Sequence, residues 1–450
     1  MNLIGKFTEV YEDCIDYYKK IEAEGFDISE EINCMEEGWN NILAHGDNMQ
    51  FMKYLLEEKD MKGKLNLIYI DPPFFSKASY DAVIHLKTSK DSKTSPIKYF
   101  AYDDTWQHDM SEYLKMLCRR LYLMKELLAD DGTIWVHLDW HVVHYVKIFM
   151  DAIFGEDNFV NEIIWQYKSG GSGKRHFARK HDTILVYSKT KKYYFAPAKE
   201  KSYNRGFKPY RFKGVKEYKD ELGWYTMVTM KDVWNVDMVG RTSSERTGYA
   251  TQKPEALLER IIEGATVEGD LCADFFSGSG TLAAACEKLG RKWICSDGSA
   301  LAVSSTIKRL YPKNASVKVL EQDNQTFETT GGKVEIDVDR TEITGSNKEV
   351  LKISIESYNI NLFPQKLDTK AIETIKLAQD SDSLQFIEYW SVDFDYDGKV
   401  YKPNMIFSKE KGNLQNYCEK LVPIGSDKNI CIKTVDVFGN YTYTTIRGNK

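Results

Sequence analysis

The run LNLIYI at residues 65–70 constrains the fold more than any other feature of the sequence. It is almost continuously apolar, and it ends abruptly at Asp71-Pro72-Pro73-Phe74. A strand without polar alternation is typical of a strand buried on both faces of a parallel sheet. Because parallel strands are joined by crossovers that are usually helical, the run predicts an α/β domain with helices on both faces.

The rest of the chain extends this pattern in two blocks of alternating strands and helices, which predict a doubly wound, mostly parallel sheet. The predicted strands are 41–46, 65–70, 133–138, 271–275 and 292–296, and the predicted helices are 48–59, 111–129, 142–154, 254–263, 282–289 and 301–310. Three other stretches depart from the alternation: 1–40 predicts one or two amphipathic helices, the polar stretch 75–108 predicts a long mobile loop, and 325–450 predicts a separate β-rich domain of unknown role.

Charge is distributed unevenly along the chain. The formal net charge is -6, yet residues 165–250 carry 19 Lys and Arg against 8 Asp and Glu. A segregated basic block suits a phosphate-facing surface, because each neutralised phosphate releases counterions. A solvated face is the alternative. The candidate phosphate contacts, interleaved with aromatic residues, are Lys174, Arg175, Arg179, Lys180, Arg205, Lys208, Arg211 and Lys213. The glycine-rich stretch 170–175 predicts a flexible loop that contacts nucleic acid, since it lacks the G-K-[ST] ending of a phosphate loop.

A glycine-rich turn follows the predicted strand at 271–275. The sequence from Asp274 to Thr281, DFFSGSGT, allows a ligand to approach the backbone closely and opens a helix whose free N–H groups suit an anion. The next strand ends at Asp297, which is placed to bind ribose hydroxyls. A tight turn of any α/β protein is the alternative. The departure from G-x-G-x-x-G and the missing P-loop lysine favour a nucleoside with a short tail over a dinucleotide.

The Asp71–Phe74 tetrapeptide is the sharper signal. Two consecutive prolines fix φ and remove two donors, so the carbonyls before them stay rigid and unpaired. An aromatic exocyclic amine is a poor nucleophile because its lone pair is delocalised into the ring. Hydrogen bonds from its N–H groups to the Asp71 carboxylate and to a proline-region carbonyl would let the nitrogen attack a methyl sulfonium. Phe74 would stack on an extruded base. A strand cap with an Asx-type turn is the alternative.

These motifs together resemble the β-class amino-DNA-methyltransferases, including the modification subunits of type III restriction systems. The resemblance covers roughly residues 40–310. Its specific parts are Asp71–Phe74, Asp274–Gly280 and the TQKP sequence at 251–254, in that order, with the basic segment between the first two. It implies a Rossmann-like methyltransferase fold with an N-terminal helical segment (1–40), a catalytic half (41–164), a target-recognition region (165–250), a cofactor-binding half (251–320) and a C-terminal β-rich domain (325–450).

The resemblance also implies site residues and a cofactor. Catalysis would fall to Asp71, Pro72, Pro73 and Phe74, with S-adenosylmethionine as the methyl donor and no metal. The cofactor loop would contribute Asp274, Phe276, Gly278 and Gly280, with Asp297 on the ribose, Lys253 on the methionine carboxylate and Asp47 near the adenine of the cofactor. Ser277 stands where the family often has Cys, and Phe74 where it more often has Tyr.

Residue chemistry narrows the target base. Methylation at cytosine C5 needs a cysteine nucleophile, usually after proline, and no cysteine here follows a proline. In the family, Asp at the first motif position is typical of N6-adenine enzymes and Ser of N4-cytosine enzymes. The expectation is therefore site-specific N6-adenine methylation of double-stranded DNA, with N4-cytosine methylation, a non-catalytic DNA-binding subunit of a restriction or defence complex, and an RNA substrate as alternatives. A restriction partner and a homodimer are possible partners by the same resemblance.

The remaining features predict an ordinary intracellular globular protein. There is no apolar run of about 18 residues and no basic-then-apolar leader at the N-terminus, so neither a membrane span nor a secretory signal is expected. The eight cysteines form no C-x-x-C pair, which argues against a zinc site or a disulfide framework and favours reduced thiols in the cytoplasm.

Overall fold

A computed structural model describes residues 3–76, 79–89, 94–104, 109–168, 174–240, 243–249, 251–323, 331–364, 367–410 and 412–447. The α-helices in these ranges are α1 Leu3–Lys20, α2 Asn48–Glu57, α3 Met110–Leu127, α4 Val143–Phe154, α5 Glu255–Ala265, α6 Thr281–Leu289, α7 Ala300–Leu310 and α8 Thr369–Ser381. None of these helices is long and apolar enough to cross a membrane.

The described strands form a large central sheet, one hairpin, one separate three-stranded sheet, and two further sheets in the C-terminal region. Strands β1 to β8 are Phe26–Ile32, Asn41–His45, Leu65–Ile70, Ser79–Leu86, Ser95–Asp103, Leu128–Leu138, Phe159–Gln166 and His181–Ser188. Strands β9 to β15 are Lys199–Tyr203, Glu217–Lys219, Trp224–Thr229, Val233–Asn235, Leu271–Asp274, Lys292–Asp297 and Val317–Gln322. Strands β16 to β22 are Lys333–Glu342, Lys348–Asn359, Ile387–Asp393, Met405–Ser408, Tyr417–Pro423, Ile430–Asp436 and Tyr441–Ile446.

The central sheet has ten strands in the order β1-β15-β2-β14-β13-β3-β6-β8-β7-β12. Its middle, from β15 to β6, is parallel throughout, whereas β1 and β8 pair antiparallel with their neighbours. Apolar side chains of α1 to α4 pack on one face of the sheet and those of α5 to α7 on the other. The predicted doubly wound, mostly parallel sheet is confirmed.

The central strand β3 shows why the sequence dictates this arrangement. Ile68 and Ile70 point to the α1–α4 face, and Leu67 and Tyr69 point to the α5–α7 face. Successive side chains of a strand alternate between the two faces, so an apolar residue at every position buries both. The run at 65–70 therefore lies in the centre of the molecule.

Two sequence-based expectations are wrong. Residues 1–40 are helical only over α1, since Phe26–Ile32 form an edge strand paired with β15. Residues 75–108 are not one long loop, because β4 and β5 form an antiparallel hairpin. Alternating apolar residues of the hairpin, including Ala82 and Leu86, pack into the core of the C-terminal region.

The basic stretch and the C-terminal region are both composite. Within 165–250, β8 and β12 belong to the central sheet, and β9, β11 and β10 form a separate three-stranded sheet. The C-terminal region, predicted as β-rich, contains a three-stranded and a four-stranded sheet together with α8. The boundaries proposed for the domains stay predictions.

Candidate active site

The candidate site lies where the direction of the chain's crossovers reverses. β3 and β13 are adjacent and parallel, with Cys272 beside Leu67 and Ala273 beside Ile68. From β3 the chain reaches β6 through α3, and from β13 it reaches β14 through α6 on the opposite face and in the opposite direction. In open α/β sheets, ligands bind outside the carboxyl ends of strands at such a switch point. Asp71 and the glycine-rich turn follow these two strand ends.

The first strand tip, Asp71–Phe74, is held from two sides. Lys253 forms an ion pair with Asp71 Oδ2, and both side chains are largely buried. The Lys253 ammonium also lies 5.3 Å from the centroid of the Phe74 ring, and His137 approaches the same ring at 5.9 Å between centroids. The other carboxylate oxygen, Asp71 Oδ1, is buried with no hydrogen-bond partner among the described residues. A buried acceptor left open in this way is unusual and is suited to a ligand.

A strained turn carries the chain away from this tip. Phe75 has φ of +55°, a left-handed conformation that bulky residues rarely adopt. Asp104 stabilises it by accepting hydrogen bonds from the backbone N–H groups of Phe75 at 2.9 Å and Ser76 at 2.7 Å. Strain of this kind concentrates at functional sites, where the surroundings enforce it.

The second strand tip, Asp274–Gly280, is organised by its own carboxylates. Asp274 Oδ1 accepts from the Phe276 backbone N–H at 2.9 Å. Asp297, at the end of β14, accepts from the Gly278 N–H at 2.8 Å and the Ser299 N–H at 2.9 Å. These bonds shape the loop from beneath and fix its position between the two strand ends.

Glycine is required at two positions of this loop. Gly278 and Gly280 have φ of +48° and +69°. A Cβ on Gly278 would meet the Tyr249 ring at 3.3 Å, and one on Gly280 would meet Thr306 Oγ1 at 2.6 Å. Gly280 thus permits α6 to pack on α7, whereas Gly278 keeps the floor of the site open.

Burial sets the electrostatics of the second tip. It raises the pKa of the Asp274 carboxyl well above its usual range, and the negative charges of Asp71 and Asp297 add to the effect. Burial also raises the pKa of Asp297, although the amide N–H groups of Gly278 and Ser299 oppose the shift. Both groups therefore hold a proton more tightly than an exposed carboxyl does.

Both tips open into one cavity of about 270 Å³. It brings together nine of the residues that the sequence singled out: Asp71, Pro72, Pro73, Phe74, Lys253, Asp274, Phe276, Gly278 and Asp297. Ser277 also lines it, and the Ser277 Oγ is a second buried oxygen without a partner among the described residues. The cavity is therefore bounded by an acidic, aromatic tip on one side and a glycine-rich tip on the other.

Two predicted cofactor residues lie elsewhere. Asp47 does not line the cavity; its carboxylate caps α2 through the N–H groups of Met49 and Gln50 and forms an ion pair of 2.9 Å with Arg120. A short acidic residue before a helix is a common N-cap, and this role accounts for Asp47. Gly280 lies behind the lining and acts through the packing of α6.

Sequence reasoning missed other residues of the cavity wall. Thr251 is the first residue of the TQKP motif, Tyr249 precedes that motif by two positions, and Tyr69 precedes Asp71 by two. Ser299 and Leu301 follow Asp297, so closeness in sequence to known motifs was the available signal. Asp104 gave no such signal. The further lining residues are Leu258, Ser279, Thr281 and Leu282.

A buried polar network supports the first tip. Tyr69 Oη lies 2.8 Å from His137 Nδ1, and His137 Nε2 lies 3.2 Å from Asp182 Oδ2. The Tyr167 hydroxyl donates to Asp182 Oδ1 at 3.0 Å. Both ring nitrogens of His137 are thus satisfied, as expected of a structural histidine, and the network spans the four neighbouring strands β3, β6, β8 and β7.

The predicted DNA contacts occupy two surface elements. The first is the edge loop, residues 174–180, which contains Lys174, Arg175, Arg179 and Lys180 and joins β7 to β8. β8 starts beside the carboxyl end of β6, with Thr183 opposite Leu138, so the edge loop leaves the same edge of the sheet as Asp71. The glycine-rich positions 170–173 predicted as part of this loop lie outside the described residues.

The second element is the three-stranded sheet β9–β11, here called the distal sheet. Its stem lies at the opposite edge of the central sheet, where the Tyr194 N–H donates to the Asp131 carbonyl at 3.1 Å and the Ala196 N–H to the Gly264 carbonyl at 2.8 Å. The loop between β9 and β10, at the far end from this stem, carries Arg205, Lys208, Arg211 and Lys213, all exposed.

The sheet order and the two tips define a Rossmann-like methyltransferase fold. Comparison with known proteins agrees: residues 65–308 match the DNA methylase family of N6 and N4 type. The match spans more than half of the chain, which therefore belongs to this family.

Several relatives share this similarity. The type II methyltransferase M.EcaI of Enterobacter cloacae is 29% identical over 60% of this chain and 69% of its own length. The type II methyltransferase M2.DpnII of Streptococcus pneumoniae is 28% identical over 61% of this chain and 90% of its own. The EcoP15I Mod subunit of Escherichia coli, from a type III restriction-modification enzyme, is 29% identical over 35% of this chain and 26% of its own.

Proposed function

We propose that this DNA methyltransferase transfers a methyl group from S-adenosylmethionine to N6 of an adenine extruded from double-stranded DNA. The observation that carries the proposal is the single cavity that contains both the Asp71–Phe74 tip and the Gly278 loop. Direct transfer requires the amine and the methyl donor to meet in one enclosed space, and adjacent strand tips provide it.

Residues of the second tip fit the proposed cofactor. The open position at Gly278 leaves space that a Cβ would fill against Tyr249. Ser277 Oγ, which has no partner in the part of the chain that the structure describes, offers a hydrogen bond. Phe276 would contact the cofactor's flat ring, and Asp297 lies beside it for ribose hydroxyls. When bound, the cofactor supplies a methyl group on a sulfonium. Lys253 is the one lysine among the described residues of the cavity wall and would pair with the carboxylate of the cofactor.

Residues of the first tip fit an aromatic amine. Asp71 Oδ1 is a buried acceptor placed to take a hydrogen bond from an exocyclic N–H, which withdraws the nitrogen from conjugation with the ring. Phe74 offers a stacking face worth roughly 1–3 kcal/mol to the extruded base. None of the eight cysteines lines the cavity, so the chain presents no thiol for the covalent route to cytosine C5.

Asp71 favours adenine over cytosine because Asp in this motif position is typical of N6-adenine enzymes. N4-cytosine methylation remains the alternative within the same chemistry, since both amines need similar acceptors. Nucleoside analysis of methylated DNA separates the two: N6-methyl-2′-deoxyadenosine supports the proposal, and N4-methyl-2′-deoxycytidine replaces it.

The direct test incubates the protein with methyl-labelled S-adenosylmethionine and unmodified genomic DNA. Label should enter DNA, and long-read mapping of the product should give one recognition sequence. The Asp71→Ala variant should bind DNA without incorporating label. No incorporation by the wild-type protein, together with intact DNA binding, would favour a non-catalytic DNA-binding subunit. An equal mass of RNA added as a competitor should leave the rate of DNA methylation nearly unchanged.

A restriction partner and a homodimer are also part of the proposal. Similarity to the EcoP15I Mod subunit supports a partner, although the matched region is a quarter of that relative. Co-purification from the native host, followed by light scattering of the isolated chain, tests both associations.

A further inference from the structure

The edge loop is anchored beside the first strand tip. At its end, the Lys180 carbonyl accepts from the Tyr167 backbone N–H at 3.0 Å. The Arg179 guanidinium lies 3.7 Å from the centroid of the Trp140 ring, and Trp140 follows the carboxyl end of β6. The His141 ring contacts Trp140 in a tilted arrangement with 3.7 Å between centroids, so this tryptophan is already packed between two side chains. Trp140 therefore serves as the platform that fixes the edge loop.

Phe177 projects from this anchored loop. Its exposed fraction is 99%, higher than that of every other exposed large hydrophobic residue in the described part of the chain. Cationic side chains flank it on both sides, at Arg175 and Arg179. An isolated exposed apolar residue is common on protein surfaces and alone means little. A fully exposed aromatic ring within a cationic loop, at the same edge of the central sheet as Asp71, fits an anionic partner with flat apolar rings.

The distal sheet offers a matched comparison. Its exposed rings are partly covered by one another: Tyr210 and Phe212 lie 5.3 Å apart, and Tyr203 and Phe207 lie 5.8 Å apart. The exposed fraction of Phe212 is 63%. Phe212 thus shares the basic setting and the ring of Phe177, but its stem lies at the opposite edge of the central sheet.

We propose that Phe177 enters the duplex and occupies the space vacated by the target base. Extrusion leaves its neighbours in the stack without a partner, and an apolar ring inserted between base steps replaces part of the lost stacking. The loop cations would hold the flanking phosphates while the ring enters. This inference rests on the proposed function, because it needs DNA from which a base is extruded.

The test uses the intact protein and a duplex with 2-aminopurine at the mapped target position, whose fluorescence rises when the base leaves the stack. Phe177→Ala should lower the fluorescence gain on this duplex. On the same sequence with adenine at the target position it should reduce kcat/KM by about tenfold, the loss expected for one stacking partner. Phe177→Trp should retain both. Phe212→Ala, the matched control, should change the fluorescence little.

A second substrate separates insertion from a general loss of DNA affinity. On a duplex with a mismatch at the target base, stacking and pairing are already weakened, so the defect of Phe177→Ala should shrink to about twofold. An equal defect on matched and mismatched duplexes overturns the proposal, as does a Phe212→Ala defect of the same size. If wild-type protein methylates DNA but Phe177→Ala matches it on both substrates, insertion fails and methyl transfer stands. If wild-type protein methylates no DNA, both fail.

Discussion

The two strand tips that bound the cavity use their carboxylates in opposite ways. At the first tip, Asp71 leaves one oxygen without a partner among the described residues and gives the other to Lys253. At the second tip, Asp274 and Asp297 accept hydrogen bonds from backbone N–H groups of the loop itself. The first tip therefore presents a free acceptor to a ligand, whereas the carboxylates of the second tip hold the glycine-rich loop in its conformation.

This difference follows from backbone chemistry. Two prolines make the first tip rigid without hydrogen bonds, because they fix φ and lack donors. Glycines make the second tip permissive, so carboxylates must hold it in shape. Lys253 links the two, since its ammonium pairs with Asp71 and its backbone carbonyl accepts from the Thr281 hydroxyl at 3.2 Å. Substitutions at the tips should consequently separate chemistry from cofactor binding.

The largest difference between the two tips should come from replacing one aspartate of each tip by asparagine. We expect Asp71→Asn to lower kcat about 100- to 1000-fold with little change in the KM for the cofactor, because the acceptor acts on the reacting amine. Asp297→Asn should instead raise that KM about tenfold, since the amide has one acceptor oxygen and can no longer hold both the Gly278 and the Ser299 backbone N–H groups. Steady-state kinetics at saturating DNA measures both. A cofactor KM that rises equally in the two variants would contradict a division of labour between the tips.

Alanine at the two glycines should sharpen the comparison within the second tip. Gly280→Ala combines a left-handed φ with a clash against Thr306, and we expect it to destabilise the protein by about 2–4 kcal/mol with or without cofactor. Gly278→Ala meets only the edge of a tyrosine ring at 3.3 Å and should cost about 1–2 kcal/mol. Its larger effect should be on the rise in Tm that S-adenosylhomocysteine produces. Thermal unfolding with and without that ligand tests both expectations.

Substitution of Lys253 should affect both turnover and cofactor binding, because this side chain lies between the two tips. Lys253→Met removes the partner of a buried carboxylate and the cation of the cofactor site, so kcat should fall and cofactor KM should rise, each about tenfold. Lys253→Arg keeps the charge and should recover part of both. A variant in which only the cofactor KM changes would show that the Asp71 pair does not contribute to turnover.

The sequence was sufficient to predict five of the ten strands of the central sheet, namely β2, β3, β6, β13 and β14, because these strands are apolar or flanked by glycine and proline turns. It also predicted that Asp71 and the Gly278 loop meet, since each follows a strand of one parallel sheet. Both predictions depend on short-range patterns, namely strand burial and turn chemistry. The family match confirms the resemblance that these motifs suggested.

Long-range packing was not accessible in the same way. The hairpin β4–β5 lies in a polar stretch, and its stability depends on apolar contacts with residues more than 250 positions away, such as Phe386 and Val392. Asp47 shows a second limit of the sequence, because a helix cap and a ligand contact place the same residue type before a helix, and the structure shows the cap. The basic stretch 165–250 is divided between two sheets, because β8 and β12 join the central sheet and β9, β10 and β11 do not. Charge alone does not predict this division.

The smallest effect on activity should come from Asp274, and it concerns pH. Burial raises the pKa of its carboxyl in the folded protein well above the unfolded value of about 4, so folding favours the protonated form. Its contribution to stability is full below pH 4 and is lost as the pH rises through the folded pKa. Asp274→Asn keeps an oxygen for the Phe276 N–H and carries no charge, so its stability relative to wild type should increase as the pH rises above 4. Urea unfolding at a series of pH values measures the difference. A difference in the free energy of unfolding that stays constant across the pH series would contradict this expectation. It would mean that the folded protein stabilises the Asp274 carboxylate as well as the protonated acid, so that the second tip tolerates a negative charge.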